Sequence, residues 1–312
     1  MKKHPVSLTK KTQKEKNTIK NKGLYVLALP GILYYIIFRF IPLPGIIIAF
    51  QKYSVFKGIL KSEFVGFENF VRLFSTGDFW RLFSNTMVIN FYDIVFGFFC
   101  PVLLSLMINE VSNLKFKKIV QSSVYFPHFL SWAVMGSIVT TQLLSLENGL
   151  INKLIMAMGG EAIYFMGTEK YARFIVILSG IWKEVGWNTI IYLAAITSIN
   201  PELYEAAAID GAGHLKRLFN ITVPSILPTV MMLLLLRIGH FMDFGFERMQ
   251  VFLNGTNIAK LDIFDTYNYR VGIGEGRYSY ATAIGLFKAL TGFILLYLSN
   301  TISKKTTDNS LF

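Results

Sequence analysis

Six stretches of roughly twenty mostly apolar residues, the length that crosses a bilayer, limit what this 312-residue chain can fold into: Leu24–Phe50, Thr86–Ile108, Val120–Leu144, Tyr171–Ser198, Ile226–Phe241 and Tyr280–Thr301. In hydrocarbon every backbone N–H and C=O must be satisfied inside the protein, so such segments become helices. The expected fold class is therefore all-α, a polytopic transmembrane bundle of six spanning helices. Composition agrees, since 53% of residues are hydrophobic and only 16% are charged, against about 25% charged in soluble domains. The first stretch is too long for a cleaved signal and no A-x-A site follows it.

Short basic flanks set orientation. Residues 1–22 carry eight Lys against one Glu, Glu110–Ile119 carries Lys115, Lys117 and Lys118, residues 199–220 carry Lys216 and Arg217, and the C-terminus carries Lys304 and Lys305. With six spans all four regions fall on one side, which predicts both termini in the cytoplasm. The organisation expected is a basic tail over 1–22, a membrane domain over 23–303 with a cytoplasmic loop at 200–224, and a second tail over 304–312. The net charge of +12 is concentrated in these flanks, so nucleic acid is not the expected partner. Cys100 is single and sits in an apolar run, which excludes an intrachain disulfide and a cysteine metal cluster. The four His (4, 128, 214 and 240) are scattered and predict no metal site. Leu150–Met158 is apolar enough to lie at the interface.

The segment between the fourth and fifth stretches is the most informative. Asn200 suits an N-cap and Pro201 the first helical position. Glu202 and Glu205 favour the positive end of the helix dipole. Ala206-Ala207-Ala208 propagates a slim helix, which Gly211 and Gly213 end. Leu215–Val223 is expected to form a second short helix before Pro224. The product is a small helical elbow whose narrow Ala surface fits a groove on another protein.

Glu205-Ala206-Ala207, Gly211 and, nine residues on, Ile221-Thr222-Val223-Pro224 resemble the EAA signature, EAA-x3-G-x9-I-x-L-P, of the membrane subunits of binding-protein-dependent ABC importers; Val223 replaces the usual Leu. Further segments, including Gly66-Phe67-Glu68-Asn69-Phe70, Trp182-Lys183-Glu184-Val185-Gly186-Trp187-Asn188, Asp265-Thr266-Tyr267 and Tyr278-Ser279-Tyr280-Ala281-Thr282-Ala283, are similar to the carbohydrate-uptake class, in its oligosaccharide and polysaccharide-fragment branch. The resemblance implies the type I importer permease fold in a bacterial cytoplasmic membrane. It implies an ABC ATPase dimer that grips Glu205, Ala206, Ala207, Asp210 and Gly211, a second permease subunit forming a heterodimer, an extracytoplasmic solute-binding protein, and a carbohydrate substrate. No G-x-x-x-x-G-K-[ST] sequence occurs, so no cofactor is expected on this chain, and ATP and Mg²⁺ are expected on the separate ATPase.

Polar and aromatic side chains inside spans are the candidates for a substrate path: Trp182, Glu184, Trp187, Asn188 and Tyr192 in the fourth stretch, and Asp243 beyond the fifth. Glu184 and Asn188, at i and i+4, share a helix face. Aromatic rings stack on the C–H faces of sugars, while amides and carboxylates bond their hydroxyls. The competing readings are an interfacial aromatic belt and a local Lys183–Glu184 pair. Asn90, Tyr92, Asp93, Arg237 and His240 are further pore-lining or structural candidates. Asp243 and Glu247 read as one turn apart and facing outward. Arg39 reads as snorkelling or paired, with Pro42, Pro44 and Gly45 breaking the helix just beyond it. Gly272-Ile273-Gly274-Glu275-Gly276 reads as a flexible outer loop. The alternatives are an importer subunit for a non-sugar solute and an intramembrane transferase. The second would need convergent acid–base or metal groups at one depth, which this sequence does not supply.

Overall fold

The computed structural model describes residues 22–307; the N-terminal tail up to residue 21 and the C-terminal residues from 308 lie outside them. The described chain is helical apart from turns and one two-residue antiparallel pair, β1 (Gln51–Lys52) with β2 (Glu63–Phe64), in register Gln51 to Phe64. It divides into two compact units at Gly66 and Phe67.

The first unit holds α1 (Gly23–Phe50) and the β1–β2 hairpin. The regular ladder of α1 is interrupted just beyond Arg39, as expected, with Ile41 and Pro42 in a turn, although the chain goes on as a single apolar span. The helix widens over Ile36–Phe40 and then tightens over Leu43–Phe50. Pro44 falls in the first turn of the tightened stretch, where a missing N–H breaks no helical bond.

The second unit runs through α2 (Glu68–Ser75), α3 (Gly77–Glu110), α4 (Leu114–Tyr125), α5 (Trp132–Ser137), α6 (Leu150–Ala157) and α7 (Glu169–Thr197). It continues through α8 (Pro201–Ile209), α9 (His214–Gly239), α10 (Phe246–Phe252), α11 (Phe264–Tyr269) and α12 (Tyr278–Thr307). Among the described residues five helices, α1, α3, α7, α9 and α12, are long and apolar enough to cross a membrane. The third apolar stretch, Val120–Leu144, is helical in two pieces rather than one. Pro127 sits in a tight turn over Phe126–Phe129, and Leu130 and Ser131 are extended (ψ 141° and 157°) before the Ser131 hydroxyl accepts from Val134 N–H and restarts the helix as α5. Proline supplies no N–H and its ring excludes a straight continuation. The break leaves the His128 carbonyl free of the helix, and Lys183 Nζ donates to it at 2.6 Å.

The fifth span also differs from expectation. No separate helix ends before Pro224; α9 is continuous from His214 through Pro224 and Pro228 to Gly239. The turn over Leu218–Thr222 is widened, so Val223 N–H bonds Leu218 O, five residues back. That extra residue relieves the clash between a proline ring and the preceding turn.

Three apolar clusters hold the second unit. Ile89, Met135, Ile175, Val176, Met249, Phe252 and Ile263 join α3, α5, α7 and α10. Leu73, Phe79, Leu82, Phe264, Tyr267, Tyr280 and Ile284 join α2, α3, α11 and α12. Tyr192, Ile196, Ile226 and Val230 join α7 to α9 near the elbow. At the opposite end a polar clamp replaces apolar packing. Asn85 Nδ2 donates to the Asp262 and Ala259 carbonyls at 2.8 and 3.0 Å, and Arg173 Nη2 donates to Asn85 Oδ1 at 2.6 Å. The Asp262 carboxylate, fully buried, accepts from Arg270 at 2.6 Å and Thr266 at 2.8 Å, which raises the Arg270 pKa. The glycine-rich stretch that follows, expected as a loop, is helical through Gly274 and leaves the helix at Glu275 and Gly276. Arg270–Gly274 continues α11 as a widened turn with Val271 and Gly272 buried, because Gly272 lets Ala281 of α12 approach.

Gly186 of α7 packs on the backbone of α4, and a Cβ there would overlap the Val124 carbonyl. Gly186→Ala is therefore expected to destabilise the protein by about 1–3 kcal/mol through overpacking. A lowered melting temperature of the detergent-solubilised protein, set beside an unchanged Gly285→Ala control, whose added Cβ would meet nothing within 4 Å, checks this.

Candidate functional site

A charged cluster lies between the helices of the second unit. Asp93 stands at the start of a widened turn over Asp93–Phe98 in α3. Its carboxylate accepts from Arg237 Nη2 at 2.5 Å and from Arg248 Nη1 at 2.7 Å. Arg237 is in the last turn of α9 and Arg248 is in α10. Arg248 is buried and bonded through all three of its nitrogens. Its Nη2 donates to Val176 O at 2.8 Å and to Ile177 O at 3.3 Å, its Nε donates to Val176 O at 3.3 Å, and its guanidinium lies 4.3 Å from the Phe244 ring centre. Gly180 makes this possible, since a Cβ there would overlap the guanidinium.

Two cavities meet at this cluster. One, of about 360 Å³, is lined by Asp93, Trp132, Glu184, Arg237 and Arg248 among others. The other, of about 290 Å³, is lined by Pro101, Ile191, Tyr192, Leu233, Leu236 and His240. Gly97, Phe98, Asn188 and Arg237 border both. The result is a trench, polar at one end and apolar at the other, with Arg237 at the junction.

The residues expected along a substrate path separate into two groups. Glu184 and Asn188 share one cavity wall, as their spacing predicts, and Asn188 and Tyr192 share the other. Trp182 and Trp187 line neither cavity. Trp187 instead stacks on the His128 ring, with centroids 4.4 Å apart and planes 3° from parallel. Asp243 also lies off the trench, because Lys288 of α12 holds it at 2.8 Å and holds Asp265 as well. Asp243 and Glu247 do not share a helical turn, since positive-φ Gly245 separates them and α10 begins at Phe246. Lys183 and Glu184 are within 3.5 Å, and Glu184 Oε2 accepts from His128 Nδ1 at 2.8 Å.

His128, Trp132 and Arg248 were not anticipated from the sequence. Pro127 beside His128 was the available signal for a broken helix that offers polar groups inside the bundle. Arg248 stands in the mixed sequence Phe-Glu-Arg-Met-Gln-Val-Phe over Phe246–Phe252, which gives no local sign of burial.

The second feature is the elbow. Asn200 caps α8, its side chain accepting from Glu202 N–H at 3.1 Å. Gly211 ends it with φ +74°, and Ala212 N–H bonds Ala207 O at 2.8 Å. Glu205, Ala206, Asp210 and Gly211 are exposed and Ala207 is half-buried. Ile209, at 87% exposure, and Leu215 are bare apolar side chains beside them. Tyr204 Oη lies 2.8 Å from Thr222 Oγ1, which ties α8 to the widened turn of α9. His214 lies 2.8 Å from Glu110, so the end of α3 is at the elbow end of the bundle.

The family model described as "Binding-protein-dependent transport system inner membrane component" matches residues 34–308. The polygalacturonan/rhamnogalacturonan transport system permease protein YteP of Bacillus subtilis (strain 168) is 46% identical, over 94% of this chain and 91% of that protein. A chain in the crystal structure of a bacterial ABC transporter involved in the import of the acidic polysaccharide alginate superposes with a TM-score of 0.85 at 37% identity, covering 95% of this chain and 99% of that one. A chain of the bacterial alginate ABC transporter in complex with alginate pentasaccharide-bound periplasmic protein gives 0.86 at the same identity and coverage.

Removing Asp93 leaves two neighbouring guanidinium groups without their carboxylate. Asp93→Asn is expected to cost about 3–5 kcal/mol, the usual consequence of breaking a buried pair from one side. Asp93→Asn/Arg248→Met should recover part of that loss, and thermal unfolding of the single and double variants tests the coupling.

Proposed function

This chain belongs to the family of binding-protein-dependent transport system inner membrane components, and we propose that it forms one half of the translocation pore of an ATP-driven carbohydrate importer. The family and its long apolar helices make it a multi-pass membrane protein and a transport component rather than an enzyme. The carbohydrate reading rests on the similar proteins, whose names give polygalacturonan/rhamnogalacturonan transport and import of alginate. It also rests on the trench, which the Asn188 amide and the Glu184 carboxylate, the latter paired with His128 and Lys183, border at its polar end and Tyr192 lines at its apolar end.

The observation that carries the ATP-driven part is the exposed elbow. A short helix bearing Glu205, Ala206, Ala207, Asp210 and Gly211, with Ile209 bare beside it, is a surface that requires a partner. In this reading an ABC ATPase dimer, which holds the nucleotide and Mg²⁺, grips that surface. Closure of the dimer drives α8 and α9 as a lever, and the spans alternate between inward- and outward-facing states. Lys115, Lys117, Lys118, Lys216, Arg217, Lys304 and Lys305 flank the membrane on the elbow's side, which supports a cytoplasmic elbow and cytoplasmic termini in a bacterial cytoplasmic membrane. A second, different permease chain completes the pore, and a solute-binding protein delivers substrate at the opposite end.

Glu205→Lys or Gly211→Asp is expected to reduce carbohydrate uptake in proteoliposomes to the level of empty vesicles, with the variant still inserted and folded. At Gly211 the φ of +74° strains any L side chain. Undiminished, ATP-dependent uptake by both variants would remove the coupling role.

A further inference from the structure

We propose that the β1–β2 hairpin after α1 is a lipid anchor: Phe56 and Leu60 enter the acyl region where the span ends, and Lys57 and Lys61 meet anionic headgroups above them. This needs α1 to cross the membrane and nothing about the solute carried.

The hairpin is built inside out for a piece of chain in water. Its polar side chains turn inward. Gln51 and Ser62 are buried. Ser62 Oγ donates to Gly58 O at 2.7 Å and accepts from Ser54 N–H at 3.1 Å. Ser54 O accepts from the N–H groups of Lys57 and Gly58 at 3.1 and 3.0 Å. The apolar side chains turn outward. Phe56 is 102% and Leu60 98% exposed, and Val55 and Phe64 are exposed as well. Hydrogen bonds fix the turn from within, so these side chains stand outside it and belong to none of the apolar clusters. An apolar surface held out in this way marks a contact.

Two bonds say what the contact is. Gln51 is the first residue after α1, and its Nε2 donates to Ile59 O at 3.0 Å. Val65 N–H donates to Phe50 O, the last residue of α1, at 2.8 Å. The short helix Gly58–Lys61 is thereby pinned within a side chain's length of the end of the span. Leu60, next to Ile59, stands where the chain leaves hydrocarbon.

Charge agrees. Lys57 follows Phe56, Lys61 follows Leu60, and both are exposed. An apolar side chain beside a lysine suits an interface, with stems in hydrocarbon and ammonium groups at the phosphates. Protein interfaces are instead depleted in lysine. Glu63 is the one carboxylate over residues 51–66. It pairs in register with Lys52, and as the neighbour of Phe64 in β2 it points to the opposite face of the strand.

The test uses the complete importer in nanodiscs of phosphatidylglycerol with phosphatidylethanolamine, or of phosphatidylcholine alone. A polarity-sensitive fluorophore is attached to Phe56→Cys, Leu60→Cys or Glu63→Cys on a Cys100→Ser background, which removes the single native cysteine. Quenching is measured with lipid spin-labelled on its acyl chain and with acrylamide from the water. Probes at 56 and 60 are expected to be quenched severalfold more by the labelled lipid than the probe at 63, and less by acrylamide, with or without the binding protein. Lipid quenching should be stronger in the phosphatidylglycerol discs, and Lys57→Gln/Lys61→Gln should remove that difference. Acrylamide quenching at 56 and 60 equal to that at 63 overturns the inference. Shielding from acrylamide without lipid quenching also overturns it, in favour of a protein partner on the hairpin. Lipid quenching that is equal in both kinds of disc overturns the role of the lysines. The readout does not involve transport, so each of these failures leaves the carbohydrate importer standing.

Discussion

The carboxylate of Asp93 is the joint on which the second unit turns. It projects from a widened turn in α3 and is met by Arg237 at the end of α9 and by Arg248 from α10, which is itself bonded to the α7 backbone. Four helices far apart in sequence thus converge on one anion. In a bilayer the apolar faces of helices gain little by leaving lipid for one another, since lipid tails are as apolar as leucine. Register among such helices has to come from close packing and from polar contacts that lipid cannot replace. The glycines supply the first: Gly180 admits the Arg248 guanidinium and Gly186 admits the Val124 carbonyl. The Asp93 cluster supplies the second.

Helix α9 connects this joint to the elbow without interruption. Its 26 residues span about 39 Å at 1.5 Å per residue, with the Tyr204–Thr222 contact near one end and Arg237 near the other. A single helix therefore joins the contact with α8 to Arg237. Arg248 belongs to a different element and is tied to α7. Asp93 thus joins α9 to the α7–α10 pair, with more bonds on the Arg248 side, where the Val176 and Ile177 carbonyls also take part, than on the Arg237 side.

Local chemistry was legible in the sequence and long-range geometry was not. Asn200, Pro201, the alanines and Gly211 identify the elbow because caps, propensity and positive φ act within a few residues. Glu184 and Asn188 fall on one wall because i and i+4 share a face in any helix. Pro224 misled, since the widened turn that carries α9 past it belongs to the same stretch that contacts Tyr204 from outside. The third apolar stretch misled for a related reason. Hydropathy averages over Pro127 and Ser131, while the structure uses the break between them to present the His128 carbonyl to Lys183. Arg248 could not be read at all, because its burial depends on the missing side chain of Gly180 and on a carboxylate in α3.

These departures from regular helix share a physical pattern. The break after Pro127 exposes a carbonyl and positions His128 against Glu184 and Trp187. The turn at Asp93 aims a carboxylate, and the turn at Leu218 admits a proline. Irregular backbone at membrane depth survives only where protein or a cavity satisfies the freed groups, and these three irregularities each hold a polar group or a proline. Those at Pro127 and Asp93 adjoin the trench and the one at Leu218 adjoins the elbow, and α9 is the element common to the trench and the elbow.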